Sequence, residues 1–186
     1  IIMSHSLKIA TILPYKENYT FHKAQAAAIW VCDFFKYSKF KNTNYIFGNT
    51  KGNDYLTKNY INISINNLKS KFSSSTNEYC KNFIKKTKNN NFDIIEIHNR
   101  PLVFNYLKKE IDSKYILYFH NDPLSMNGSK SISERLKLLD ELDKIIFVSK
   151  WVQNRFFEKL DNKLINKTEV VYPSIHKEKK IFKKEK

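Results

Sequence analysis

Apolar residues fall in short unbroken or alternating runs, and between these runs they recur at helical spacing; the two patterns alternate along most of the chain. Leu7-Lys8-Ile9-Ala10-Thr11-Ile12-Leu13, stopped by Pro14, predicts a first strand. A polar loop follows, and residues 24–37 predict a helix, because good helix formers there carry an apolar face through Ala27, Ile29, Trp30, Val31, Phe34 and Phe35. Tyr45-Ile46-Phe47 before Gly48 predicts a short strand, and the alternation over residues 60–65 predicts a half-buried one. A helix is expected over 76–88, capped by the run Ser73-Ser74-Ser75. Strands at 92–97 and 115–119 then bracket a helix at 102–111, with Pro101 in its first turn where a missing N–H costs nothing. Ser131 with Glu134 three residues on is a capping box for a helix over 133–140. A strand at 144–148, a helix at 150–160 with Ser149 as N-cap, and a strand at 169–172 complete the series.

Strands alternating with helices throughout predict an α/β fold of Rossmann-like type, a mostly parallel sheet between two helical layers. A chain of 186 residues holds one such domain, not two of ordinary size. Its expected extent is residues 7–174, after a short leader at 1–6 and before a basic linker or tail at 175–186.

Charge and composition narrow the function. The net charge of +15 comes from 33 Lys+Arg against 18 Asp+Glu, and Arg100, Arg135 and Arg155 are the only arginines. A lysine excess of this size attracts phosphates or an anionic membrane surface. Nucleic acid is the weaker expectation, because arginine, the residue that forks onto bases and phosphates, is scarce. Cys32 and Cys80 sit singly inside helical patterns and predict buried thiols, with no disulfide framework and no metal site. Gly48, Gly52 and Gly128 are the only glycines, and none belongs to a GxGxxG turn or a Walker loop. Neither a dinucleotide dehydrogenase nor a P-loop NTPase is expected, and no cofactor is expected. No apolar run reaches membrane-spanning length and no signal segment opens the chain, so the expected location is cytoplasmic, with peripheral contact at the inner membrane face open to the lysines.

The candidate chemistry lies at strand ends. Phe92-Asp93-Ile94-Ile95-Glu96-Ile97 runs into His98-Asn99-Arg100-Pro101, and Tyr115-Ile116-Leu117-Tyr118-Phe119 runs into His120-Asn121-Asp122-Pro123. Open α/β sheets bind ligands at the carboxyl ends of their strands, so two imidazoles and two carboxamides delivered there fit a polar, multi-hydroxyl or anionic ligand. His120 follows an unbroken apolar strand and is the candidate catalytic residue, able to hydrogen-bond a hydroxyl or to move a proton. The bland alternative is a structural histidine that holds the next loop. His98, Asn99, Asn121, Asp122 and Ser149 are candidate substrate-binding residues, although the asparagines also suit turns and Ser149 a helix cap. Lys16 and Asn18 in the first loop add side-chain donors beside the same edge.

The ordered set Lys8-Ile9-Ala10-Thr11-Ile12-Leu13-Pro14, Phe92 through Asn99, Tyr118 through Pro123, Ile145-Ile146-Phe147-Val148-Ser149-Lys150-Trp151 and Val170-Val171-Tyr172-Pro173 resembles the amino-terminal half of GT-B glycosyltransferases, most closely the retaining group known as family 4. The resemblance spans roughly residues 7–174. It implies an acceptor-side domain of an enzyme that moves a sugar from a nucleotide-sugar co-substrate to a hydroxyl acceptor, a glycan or a lipid-linked one, in cell-envelope polysaccharide synthesis. By the same resemblance His120 matches a histidine that contacts the donor sugar near the reacting carbon, residues 14–22 match a loop beside the donor diphosphate, and Ser149 matches a serine after the sixth strand. Two departures stand out. Ala24-Gln25-Ala26-Ala27 replaces the usual glycine-rich turn, and no two Glu stand eight apart as the family's carboxyl-terminal Glu-x7-Glu motif requires. The expectation is therefore a domain that lacks the donor half and is inactive alone. The rival expectation is a non-catalytic basic module for nucleic acid or an anionic surface.

Overall fold

The computed structural model describes residues 6–65 and 74–173. Seven strands form one sheet: β1 (Ile9–Ile12), β2 (Asn44–Gly48), β3 (Tyr60–Asn62), β4 (Ile94–His98), β5 (Lys114–Phe119), β6 (Lys144–Phe147) and β7 (Thr168–Val170). Their spatial order is β3-β2-β1-β4-β5-β6-β7, and every pairing is parallel. The sheet expected to be mostly parallel is wholly so, because each connection among the described residues crosses back over the sheet rather than turning as a hairpin. The expected leader and basic tail lie almost entirely outside the described residues.

Helices α2 (Ser75–Thr87), α3 (Pro101–Leu107), α4 (Ile132–Glu141) and α5 (Lys150–Phe156) bury their apolar sides on one face, around Ile12, Phe47, Ile95, Ile97, Leu117, Phe119 and Phe147. Helix α1 (Ala26–Tyr37) covers the other face over Leu13, Ile46 and Tyr60. Each strand buried on both sides reads as a near-continuous apolar run, which is what made the strands visible in the sequence. Cys32 and Cys80 are buried free thiols, as expected, and burial pushes the Cys80 thiol up to about 12.

Ser131 and Glu134 form the expected capping box at α4, and Ser74 caps α2 by accepting from the Asn77 N–H. Several ends differ from expectation. Helices α3 and α5 stop well short of residues 111 and 160, and the chain after each continues as turns in which Ile111 is partly buried and Phe157 buried. Strand β3 ends at Asn62, whose side chain accepts the Thr50 N–H and donates to the Thr50 carbonyl.

Candidate functional site

Strand β1 steps to β2 on one side and, through the long crossover, to β4 on the other. Loops leaving the carboxyl ends of β1 and β4 therefore diverge, and a crevice opens between them. A cleft of about 500 Å³ lies there, walled by Pro14, Tyr15, Glu17, Gln25, Asn99, Arg100, Asn121, Asn127 and Lys130 among others. That volume fits the range of about 300–1,000 Å³ usual for small-molecule sites. Its walls are mostly polar side chains, as a hydroxyl-rich ligand requires.

Asn99 and Asn121 line this cleft, but His98 and His120 are not among its lining residues: they pair with each other on the side of the sheet covered by α1, where His98 lines a separate hollow with Trp30, Phe34 and Tyr118. His98 is the last residue of β4 and pairs across the sheet with Tyr118, so His120 emerges one position beyond β5. His98 Nδ1 lies 2.8 Å from His120 Nε2. The His98 ring stacks on Tyr118 at 4.5 Å, and Trp30 from α1 stands edge-on to His120 at 5.3 Å. Asn99 adopts a left-handed backbone (φ 53°), which a short carboxamide tolerates, and its Oδ1 accepts the His120 backbone N–H at 2.7 Å. The end of β4 is thus stapled to the end of β5.

One proton must lie between the two imidazoles, and burial decides its position. His98 Nε2 is buried with no hydrogen-bond partner. An orphaned N–H donor is the rarer and costlier state, so Nε2 is the bare nitrogen and Nδ1–H donates to His120 Nε2. His120 then carries its own proton on Nδ1, which makes no hydrogen bond with a described residue. Burial lowers His98 well below the ordinary imidazole range and takes His120 to about 4. At neutral pH His120 is thereby neutral, so its chemistry is that of a hydrogen-bond donor and not of a general acid.

The other expected residues divide. Asn99 and Asn121 line the cleft. Asp122 is occupied structurally: Oδ1 accepts the Leu124 N–H and Oδ2 takes Arg155 Nη2 at 3.0 Å. Ser149 caps α5 by accepting the Val152 N–H at 3.2 Å and is not part of the cleft wall. Lys16 and Asn18 line a second hollow of about 370 Å³ beyond Tyr15, where Asn18 Oδ1 accepts the Lys51 N–H. The first loop contributes instead through Tyr15 and Glu17. Glu17 is buried, and its Oε1 accepts the Ala28 N–H at 2.8 Å, so the chain's own carboxylate occupies the start of α1. Burial raises the Glu17 pKa, the two α1 backbone N–H groups and Arg100 opposing the shift. At that helix start, where the Ala24–Ala27 departure already weakens phosphate contact, Glu17 holds the Ala28 N–H.

Trp30, Tyr15, Glu17 and Arg100 were not singled out by sequence reasoning. Arg100 carried a signal, being one of three arginines and adjacent to a His-Asn pair. Among the described residues no cluster of three or more His, Cys, Asp or Glu side chains is placed to hold a metal, and no helix is long and apolar enough to cross a membrane.

No family model and no curated protein matches the chain. Solved structures do. HepE from Anabaena, in complex with UDP-glucose, superimposes with a TM-score of 0.62 at 11% identity over 90% of this chain and 44% of that one. Sucrose-phosphate synthase from Thermosynechococcus elongatus gives 0.62 at 9% identity over 89% and 48%. UDP-N-acetylglucosamine 2-epimerase from Rickettsia bellii gives 0.53 at 13% identity over 88% and 44%. The fold is one half of the GT-B architecture. The chain spans about half the length of these structures, and at such identities the likeness shows the fold alone.

Proposed function

We propose that this domain is the acceptor-side half of a glycosyltransferase of the family 4 kind, which transfers a sugar from a nucleotide-sugar donor to a hydroxyl of a glycan or lipid-linked acceptor. The observation that carries the reading is the polar switch-point cleft, with a neutral His120 tied to its lining residue Asn99 through the Asn99 Oδ1 bond to the His120 N–H. The His120 Nδ1–H is a donor suited to a sugar hydroxyl, and Asn99 and Asn121 add carboxamides that both donate and accept. HepE, which shares the fold, was solved with UDP-glucose, and this supports a nucleotide sugar as the partner.

Catalysis would require a second domain to hold the nucleotide, since both reactants must be fixed in one geometry. Incubation of the 186-residue chain with labelled nucleotide sugars and hydroxyl acceptors is expected to give no product, whereas protein carrying both halves should give transfer. Turnover by this chain alone would contradict the division of labour, and no transfer by the two-half protein with any nucleotide sugar would contradict the function. The lysine excess fits peripheral contact with an anionic membrane that presents a lipid-linked acceptor, and flotation with phosphatidylglycerol vesicles tests it.

A further inference from the structure

We infer that Arg100 is a recognition site for an oxyanion, a phosphate or a carboxylate carried by the acceptor, at the wall of the switch-point cleft; the word acceptor rests on the glycosyl-transfer reading, while the anion site itself does not. The guanidinium lies over the Tyr15 ring, with Cζ 5.3 Å from the centroid. Its Nε is buried without a hydrogen-bond partner, and Arg100 forms no ion pair with a described residue.

The other two arginines are fully engaged. Arg135 gives Nη1 to the Ser129 and Lys130 carbonyls and Nη2 to the Glu158 carbonyl, while Arg155 holds Asp122 and Glu158. Arg100 alone keeps its donors for something not yet bound.

The guanidinium sits over the Tyr15 ring at the cleft wall, and its planar fork of donors matches two oxygens of a carboxylate or phosphate. Lys130 and the carboxamides of Asn99, Asn121 and Asn127 line the same cleft and supply further donors. The carboxylate in the wall, Glu17, is committed to the α1 backbone through its bond to the Ala28 N–H, so it does not substitute for a ligand on Arg100. Glu17 gives Arg100 a charge partner across the wall but no hydrogen bond, so the guanidinium donors are left for a ligand, and the paired oxygens of an oxyanion satisfy them better than a lone hydroxyl. The chemistry favours a charged ligand.

Calorimetric titration of the 186-residue chain at physiological salt tests this, using glucose 1-phosphate and glucuronate as probes and glucose as the neutral control. At least one anion should bind and glucose should not. Arg100→Gln should weaken that binding by about tenfold or more, with Arg100→Lys in between because it keeps charge but loses the fork. Lys36→Gln, which alters an exposed lysine on α1, should leave it unchanged. Binding of glucose 1-phosphate alone assigns a phosphate, and of glucuronate alone a carboxylate. Absence of anion binding, undiminished binding by a folded Arg100→Gln, or equal loss in Lys36→Gln overturns the site. If Arg100→Gln does not fold, an Arg100→Lys variant with native affinity overturns it as well. Because no turnover is read, anion binding that persists without sugar transfer counts against the function alone, and transfer without anion binding counts against Arg100 alone.

Discussion

His98 and His120 share one hydrogen bond inside a wall of Trp30 and Tyr118, and their protonation is coupled to folding. Both are held neutral in the folded chain and take protons more readily when unfolded, from an ordinary value of 6.5. Their contribution is fully present above about pH 6.5 and is lost as pH falls toward 4. Glu17 and Glu96, raised by burial, act in the opposite direction over the acid range, so the informative quantity is a difference between variants. The melting temperature lost by the native chain between pH 7 and pH 5 should exceed that lost by His120→Gln by on the order of 5 °C. Equal losses would mean that His120 titrates normally and is not held neutral by burial.

At the scale of elements, the cleft depends on a loop braced from three sides. Asp122 caps the 3-10 turn Pro123–Ser125 and pairs with Arg155, Arg135 holds the carbonyls of Ser129 and Lys130, and Gly128 lies against the start of α3. Gly128 has φ +92°, and a Cβ there would meet Pro101 Cβ and Leu102 Cδ2 at 3.1 Å. Gly128→Ala should therefore cost about 1–3 kcal/mol, read as a lower denaturant midpoint, and should also weaken ligand binding by displacing the cleft wall. A native midpoint would show that the turn relaxes freely. Ser131→Ala, which removes half of the capping box, should cost about 1 kcal/mol and leave binding unchanged, since α4 begins outside the cleft. Element by element the chain was legible where apolar runs met caps, as at α4. It was least legible after α3 and α5, where partly buried Ile111 and buried Phe157 keep the helical spacing alive into turns.

For the whole molecule, the parallel order and the switch point follow from the strand–helix alternation, and so does the edge on which His98 and His120 meet. Their orientation was legible too, in the strand period of two: His98 shares a face with Glu96, and His120 continues the face of Tyr118, which is the side covered by α1. Attention to the carboxyl edge alone hid this, and with it the place of Trp30. Arg100 escaped notice for a different reason, because its significance is the lack of a partner, which only three-dimensional packing reveals.

The central claim, that His120 contacts the transferred sugar, is tested most directly by steady-state sugar transfer in the two-half protein with His120→Ala beside a thermal melt. The proposed contact would tighten as positive charge develops at the anomeric carbon, so turnover should fall roughly one hundredfold while the variant stays folded. His98→Ala, which removes a support and not a contact, should cost less. A folded His120→Ala protein with normal turnover, or a loss accounted for by unfolding, would return His120 to a structural role and contradict the account.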